Sequence, residues 1–215
     1  MTAPQQLGFG FDEMLEAERT AHVPSIMEQA IPYYRGLLHR HHAAMMAGDI
    51  DAAMKIRDEA QDLAVKLNGG ELMGICAGPD SPGHRLERET AAPDGTVPLW
   101  GQTGNFVIEV NGMKIRIEQD GLFGIGSSMS SAPGFAAHAV DYDKPFLSET
   151  GFRSFIGSRP EIVPGMTPDV MAREMIQAYL TCECKGKPKR IDKTYVEREM
   201  ERRAEKAQQT EHSHD

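Results

Sequence analysis

"NFVIEVNGMKIRIEQ", residues 105–119, alternates apolar and polar side chains on both sides of Asn111-Gly112. Phe106, Ile108 and Val110 share one face of the first run, and Met113, Ile115 and Ile117 share one face of the second. A period of two is that of a half-buried β-strand. A type I′ turn needs positive φ at both central residues, which Asn and Gly supply at low cost, so the pattern predicts a two-residue hairpin.

Working outward toward the C-terminus, Asp120-Gly121 predicts another turn, into "LFGIG". "FAAHAV" reads as a further strand, and "KPFLSETGFRSFIG" as one or two short ones. Together these make a small antiparallel sheet of about four strands. Toward the N-terminus, residues 74–104 are rich in Gly and Pro and read as a long loop or linker.

Before the linker the period changes from two to 3.6. Residues 11–22 carry helix formers and predict a short helix, after which Pro24 and Pro32 punctuate the chain. From Pro32 to Met46 the apolar positions Tyr34, Leu38, His41 and Met45 lie at helical spacing. Asp49 is a good N-cap for a second helix, on which Ala52, Ile56, Ala60, Leu63 and Leu67 share a face. Asn68-Gly69-Gly70 ends it, because Asn and Gly tolerate the left-handed backbone of a helix C-cap. So short a link between two helices predicts an antiparallel hairpin. "AGDIDAAMKI" looks like a tetratricopeptide turn, but no second copy recurs at a fixed period.

Beyond the sheet, Thr167-Pro168 predicts a helix start, with Val170, Met171, Met175, Ala178 and Tyr179 as its apolar face. A highly charged final helix follows, with Ile191, Tyr195 and Met200 as a narrow stripe, docked at one end. The fold class is therefore α+β. The expected units are a helical hairpin region over 1–73, a linker over 74–104, the sheet over 105–165, helices over 166–209 and a disordered tail over 210–215.

Composition sets limits on function. The 215 residues suffice for one large domain or two small ones with a real core. The net charge of −9 repels phosphate backbones, which disfavours general nucleic-acid binding and suits docking on a basic protein surface. No apolar run reaches the roughly 18 residues needed to span a bilayer, and the N-terminus lacks the pattern of a secretory signal. An odd count of 3 cysteines argues against a disulfide framework, so a cytoplasmic location is expected.

Several motifs offer chemistry. "HRHH" places His39 and His42 one turn apart, but no second ligand pair accompanies them. Cys182-x-Cys184 with Cys76 and His84 supplies only one close pair for zinc. Neither a metal nor a cofactor is expected. "DGLFGIGSSMSSAPG" lacks the Lys-Ser/Thr of a P-loop and the elbow of a serine hydrolase; it reads as a flexible loop or, over a ligand, a lid. Lys185, Lys187, Lys189 and Arg190 form the one segment where positive charge prevails, an exposed connector or a phosphate contact. Arg153 stands among Phe146, Phe152 and Phe155, where burial demands a partner from Asp141, Asp143 or Glu149. The alternative is an anion-binding Arg153.

"KPFLSETGFRSF", residues 144–155, resembles a stretch found in uncharacterised proteins of bacterial plasmids and phages. That resemblance brings no activity or catalytic residue with it. The reading favoured by the sequence is a non-enzymatic interaction or regulatory factor of a bacterial mobile element, engaging a protein partner or itself through its helices. An alternative is a small-ligand binder or enzyme in which Arg153 holds an anion, His138 acts as acid or base, and Ser127 and Ser128 lie on a covering loop. A further alternative is nucleic-acid binding through residues 185–190.

Overall fold

The computed structural model describes residues 18–124, 127, 131–157 and 160–212. Its elements are α1 Met27–Ala47, α2 Ile50–Leu67, α3 Pro82–Glu89, β1 Gly104–Val110, β2 Met113–Gln119, β3 Phe135–Ala139, β4 Phe152–Ser154, α4 Pro168–Cys182 and α5 Lys193–His212. The class is α+β: N-terminal helices, a central antiparallel sheet and C-terminal helices.

The sheet is a meander in the order β1-β2-β3-β4 with every pairing antiparallel. Val110 faces Met113 across Asn111 and Gly112, whose φ values are 52° and 76°, as the I′ turn requires. Phe106, Ile108, Val110, Met113, Ile115, Ile117, Phe135, Ala137 and Ala139 form one buried face. Met171, Ala172, Ile176 and Leu180 of α4 join them in the larger core. That helical face differs from the expected one, since Val170 and Ala178 are exposed and Ile176 and Leu180 are buried. Thr167 is the N-cap residue of α4, but its hydroxyl donates to Asp169 and caps no backbone amide.

The helical hairpin forms as its periodicity requires. Asp49 Oδ1 accepts the Ala52 N–H at 3.0 Å, and Gly48 closes α1 in the left-handed region. Tyr34, Leu38, His41 and Met45 are all buried. Helix α1 begins at Met27, so Pro32 lies inside it and not at its start. In the second turn a proline gives up the N–H that would bond the Glu28 carbonyl, and buried Ala30 and Tyr34 hold the turns around it. Of the expected helix over 11–22, residues 11–17 lie outside the described residues, and residues 18 and 19 are helical.

Residues 74–104 depart from a plain linker. Ser81-Pro82 starts α3, and Leu86 joins Tyr34, Leu37, Leu63 and Leu122 in a second, smaller core. Trp100, fully buried, stitches the two halves together. His41 Nδ1–H donates to its carbonyl at 3.0 Å, its own N–H donates to His42 Nδ1 at 3.2 Å, and its indole Nε1–H donates to the Met166 carbonyl at 2.8 Å. Two histidines of the run, His41 and His42, therefore hold the Trp100 backbone.

Helix α5 docks differently from the expected stripe. Ile191 is buried, but Tyr195 and Met200 are exposed, at 38% and 66%. Val196 and Glu199 face the body instead. Glu199 binds Arg202 and Arg203, and Arg203 reaches the Val140 carbonyl and stacks over Tyr142. The helix runs to His212, past the 209 expected. Among the described residues no helix is long and apolar enough to cross a membrane.

Candidate functional site

Where α3 meets the end of β2, the surface opens into a crevice of about 580 Å³. Glu87, Asp94, Glu118 and Asp120 line it, with His84 and Cys76. Among the described residues no Lys or Arg lines it. A smaller hollow of about 360 Å³ shares Cys76, Phe123 and Gly124 with it and adds Arg57 and Gln61.

Local sequence explains how these groups converge. Pro82 fits the first turn of α3, where its missing N–H costs nothing. Gly83 then lies so near residues 75 and 76 that a Cβ would stand 2.9 Å from Cys76 Sγ. His84 Nδ1–H donates to the Gly78 carbonyl at 2.8 Å, which leaves Nε2 as the basic nitrogen. One turn on, Glu87 Oε1 accepts the Phe123 N–H at 2.9 Å. The loop after β2 comes so close that a Cβ on Gly121 would stand 2.1 Å from that oxygen. Only glycine permits this approach.

The electrostatics follow from desolvation. Burial pushes the Glu87 carboxyl up to about 7, and the charge of Asp120 adds to the rise; the Phe123 amide and His84 offset part of it. Asp120 is raised by burial and by Glu118. Burial and then Glu87 raise the Cys76 thiol, so it is no poised thiolate. Beneath the crevice Tyr34 is 1% exposed and stacks on Phe123 with ring centroids 5.7 Å apart. Its hydroxyl has no hydrogen-bond partner; the Leu122 backbone lies alongside without completing one.

The residues singled out from sequence do not converge. Arg153 is exposed, and its guanidinium lies 4.5 Å from the centre of the Tyr179 ring. Among the described residues no carboxylate pairs with it; Asp141 binds Lys144 instead. The expected Arg–carboxylate pair is thus replaced by a cation–π contact, because β4 is an edge strand that leaves Arg153 in water. His138 lies on the opposite face of the sheet, since it pairs with Phe152 while Arg153 pairs with Ala137. His138 Nε2 stands 3.2 Å from Glu118 Oε2, off the line of a hydrogen bond, and burial and Arg116 lower its pKa. Ser127 is buried with its hydroxyl donating to the Gly121 carbonyl, and Arg57 donates to its backbone oxygen. Ser128 lies outside the described residues. Lys185, Lys187, Lys189 and Arg190 are all exposed on a connector pinned by the Phe146–Lys189 backbone bridge. Asp143 and Glu197 flank Arg190 in a hollow of about 240 Å³.

Sequence reading passed over Glu87, and it took Asp120-Gly121 only as a turn and Tyr34 only as a position on a helix face. One signal for Glu87 was present: Ser81-Pro82 repeats the start pattern of Thr167-Pro168, but within a Gly/Pro-rich stretch.

Compared with known proteins, residues 103–211 match the model of the KlcB third domain. The chain belongs to the KlcB third-domain family. Two curated relatives, each Protein KlcB of Escherichia coli, align with it. The first is 36% identical over 156 residues, 73% of this chain and 37% of the relative. The second is 38% identical over 141 residues, 65% of this chain and 29% of the relative. The chain thus spans about a third of the length of these KlcB proteins. No solved structure matches. The KlcB third-domain segment contains the whole sheet, α4 and most of α5, while Glu87, His84 and Cys76 precede it. The first alignment is longer than that segment, so likeness to KlcB extends beyond it.

Proposed function

We propose that the chain is a non-enzymatic interaction module of a KlcB-type protein, an accessory factor of a bacterial mobile element, which receives a basic segment of a protein partner in the acidic crevice. One observation carries the reading: Glu87, Asp94, Glu118 and Asp120 line one cleft that no described Lys or Arg lines, Arg116 meeting Glu118 from outside it at 3.6 Å. Burial makes the Glu87 and Asp120 carboxyls costly to ionise, and a cation from a partner relieves that cost. The overall charge of −9 steers such a partner toward the chain. The likeness of residues 144–155 to plasmid and phage proteins supports the mobile-element setting. Nucleophilic chemistry has little support among the described groups, with the Cys76 thiol raised and the Ser127 hydroxyl engaged as a donor.

Fluorescence anisotropy tests it, with a labelled peptide of mixed Lys and Arg, an acidic peptide of the same length as control, and a salt series. Salt-sensitive binding of the basic peptide, lost in the Glu87→Gln/Asp120→Asn double variant, is expected. Binding that this variant leaves intact would rule the crevice out.

A further inference from the structure

The sheet has two edges, and the chain treats them differently. At β4 the outward N–H of Phe152 donates to Ser148 Oγ at 3.2 Å, and the Phe152 carbonyl accepts from the same hydroxyl at 2.7 Å. At β1 the two-residue turn makes Val110 and Met113 a bonded pair, so Phe106, Ile108 and Val110 direct their backbone groups to β2. Asn105, Val107 and Glu109 therefore point theirs away from the sheet. The Asn105 carbonyl accepts the Gly95 N–H at 2.8 Å, which covers that position. Among the described residues nothing bonds the outward N–H and C=O of Val107 and Glu109. Both side chains are exposed, Val107 at 55%. A bare backbone edge is a ready template for a further strand, and neither proline nor lysine interrupts β1 to deter one.

A second copy of this chain does not fit the gap. Pairing β1 with itself about Val107 or Ile108 sets residue 109 or 111 of the second copy opposite Asn105, where Gly95 already lies. Moving the axis to Glu109 clears Gly95 but places two Glu109 carboxylates directly across from each other, which is unfavourable. A strand with a cation at that position is favoured instead. Next to the gap is a hollow of about 570 Å³, lined by Gly95, Val107, Arg116 and Arg202 among others. Its two arginines are already engaged, Arg116 with Asn105 and Glu118, Arg202 with Glu199. The hollow shares Asp94, Asn105 and Glu118 with the acidic crevice, so a chain that leaves the edge past Val107 has a continuous path into it.

We propose that β1 accepts a fifth strand: a basic partner segment docks in extended form, its backbone pairing with the outward N–H and C=O groups of Val107 and Glu109, and its continuation enters the crevice. This deepens the reading above and rests on it. Strand alternation dictates the motif. An apolar side chain lies beside Val107, and two positions away a Lys or Arg lies beside Glu109.

Amide hydrogen exchange of the full chain, followed by NMR, tests the inference. The probe is a short basic peptide built around Lys-Thr-Val-Thr-Lys, which offers the motif in either strand direction. At saturation the Val107 and Glu109 amides are expected to slow on the order of tenfold or more, because each gains an acceptor. The peptide N-methylated at Val loses the N–H that faces β1 and should bind on the order of tenfold more weakly. The peptide N-methylated at both Thr residues carries its methyl groups on the far side and should bind like the parent. Val107→Pro forfeits an N–H that nothing in the described chain accepts, so the fold should survive while peptide affinity falls about tenfold. Binding that leaves both amides unprotected, or that tolerates methylation at Val as well as at Thr, would overturn the strand pairing and leave the acidic docking crevice standing. Binding of none of these peptides would overturn both.

Discussion

Replacing Glu87 by Gln should change how stability depends on pH. The carboxyl is raised from 4.5 to about 7 by burial first and by Asp120 next. A raised folded-state value means its contribution is fully present below 4.5 and is lost as pH climbs through 7. The limit of that loss is about 3 kcal/mol, and about 2–3 kcal/mol of it falls between about pH 5 and about pH 8. Gln keeps the acceptor for the Phe123 N–H and carries no charge at any pH. The variant should therefore gain on the wild type by that amount from the acid end to the alkaline end. Urea unfolding at several pH values, followed through the fluorescence of buried Trp100, measures the difference directly. A wild-type-minus-variant difference that stays constant over this range would show that the carboxyl is well solvated, and the acidic crevice would lose its physical basis.

Four further outcomes follow from the same geometry. His41 is lowered from 6.5 to about 4 by burial, so its contribution is present above 6.5 and lost as pH falls toward 4; in the Glu87→Gln background, where the opposing change is removed, denaturation should show about 2 kcal/mol lost between about pH 6.5 and about pH 4.5. Trp100→Phe strands the Met166 carbonyl that the indole now satisfies and should cost about 2–3 kcal/mol by circular dichroism melting. Gly121→Ala drives a methyl into Glu87 and Thr103 and should cost about 1–3 kcal/mol while weakening binding of the basic peptide. Arg153→Ala removes only the contact over Tyr179, costing under about 1 kcal/mol, and should leave peptide affinity unchanged; a tenfold loss would place Arg153 in the site.

The candidate site was much less legible than the fold. Glu87 and Asp120 are ordinary surface-type residues in the sequence, 33 positions apart. What makes them unusual is that α3 and the loop after β2 withdraw both from water. Arg153 drew notice because three phenylalanines surround it in the chain. Strand alternation then sends Phe152 to the opposite face of the sheet, and α4 supplies Tyr179 from 26 positions away. The helix over 82–89 was hidden because Gly, Pro and charged residues dominate it, and only Leu86 and Gly83 are buried. Its stability comes from contacts with α1 and α2 rather than from its own pattern.

Local signals determined the β1–β2 hairpin, the helix pair joined at Gly48-Asp49 and the α+β class, because turn φ values and side-chain periods act over a few residues. The tertiary structure alone decided that His41 and His42 hold the backbone of Trp100, that Tyr34 is left unpaired, and that four carboxylates share a cleft. Desolvation and hydrogen-bond satisfaction depend on neighbours distant in the chain, and no period in the sequence encodes them.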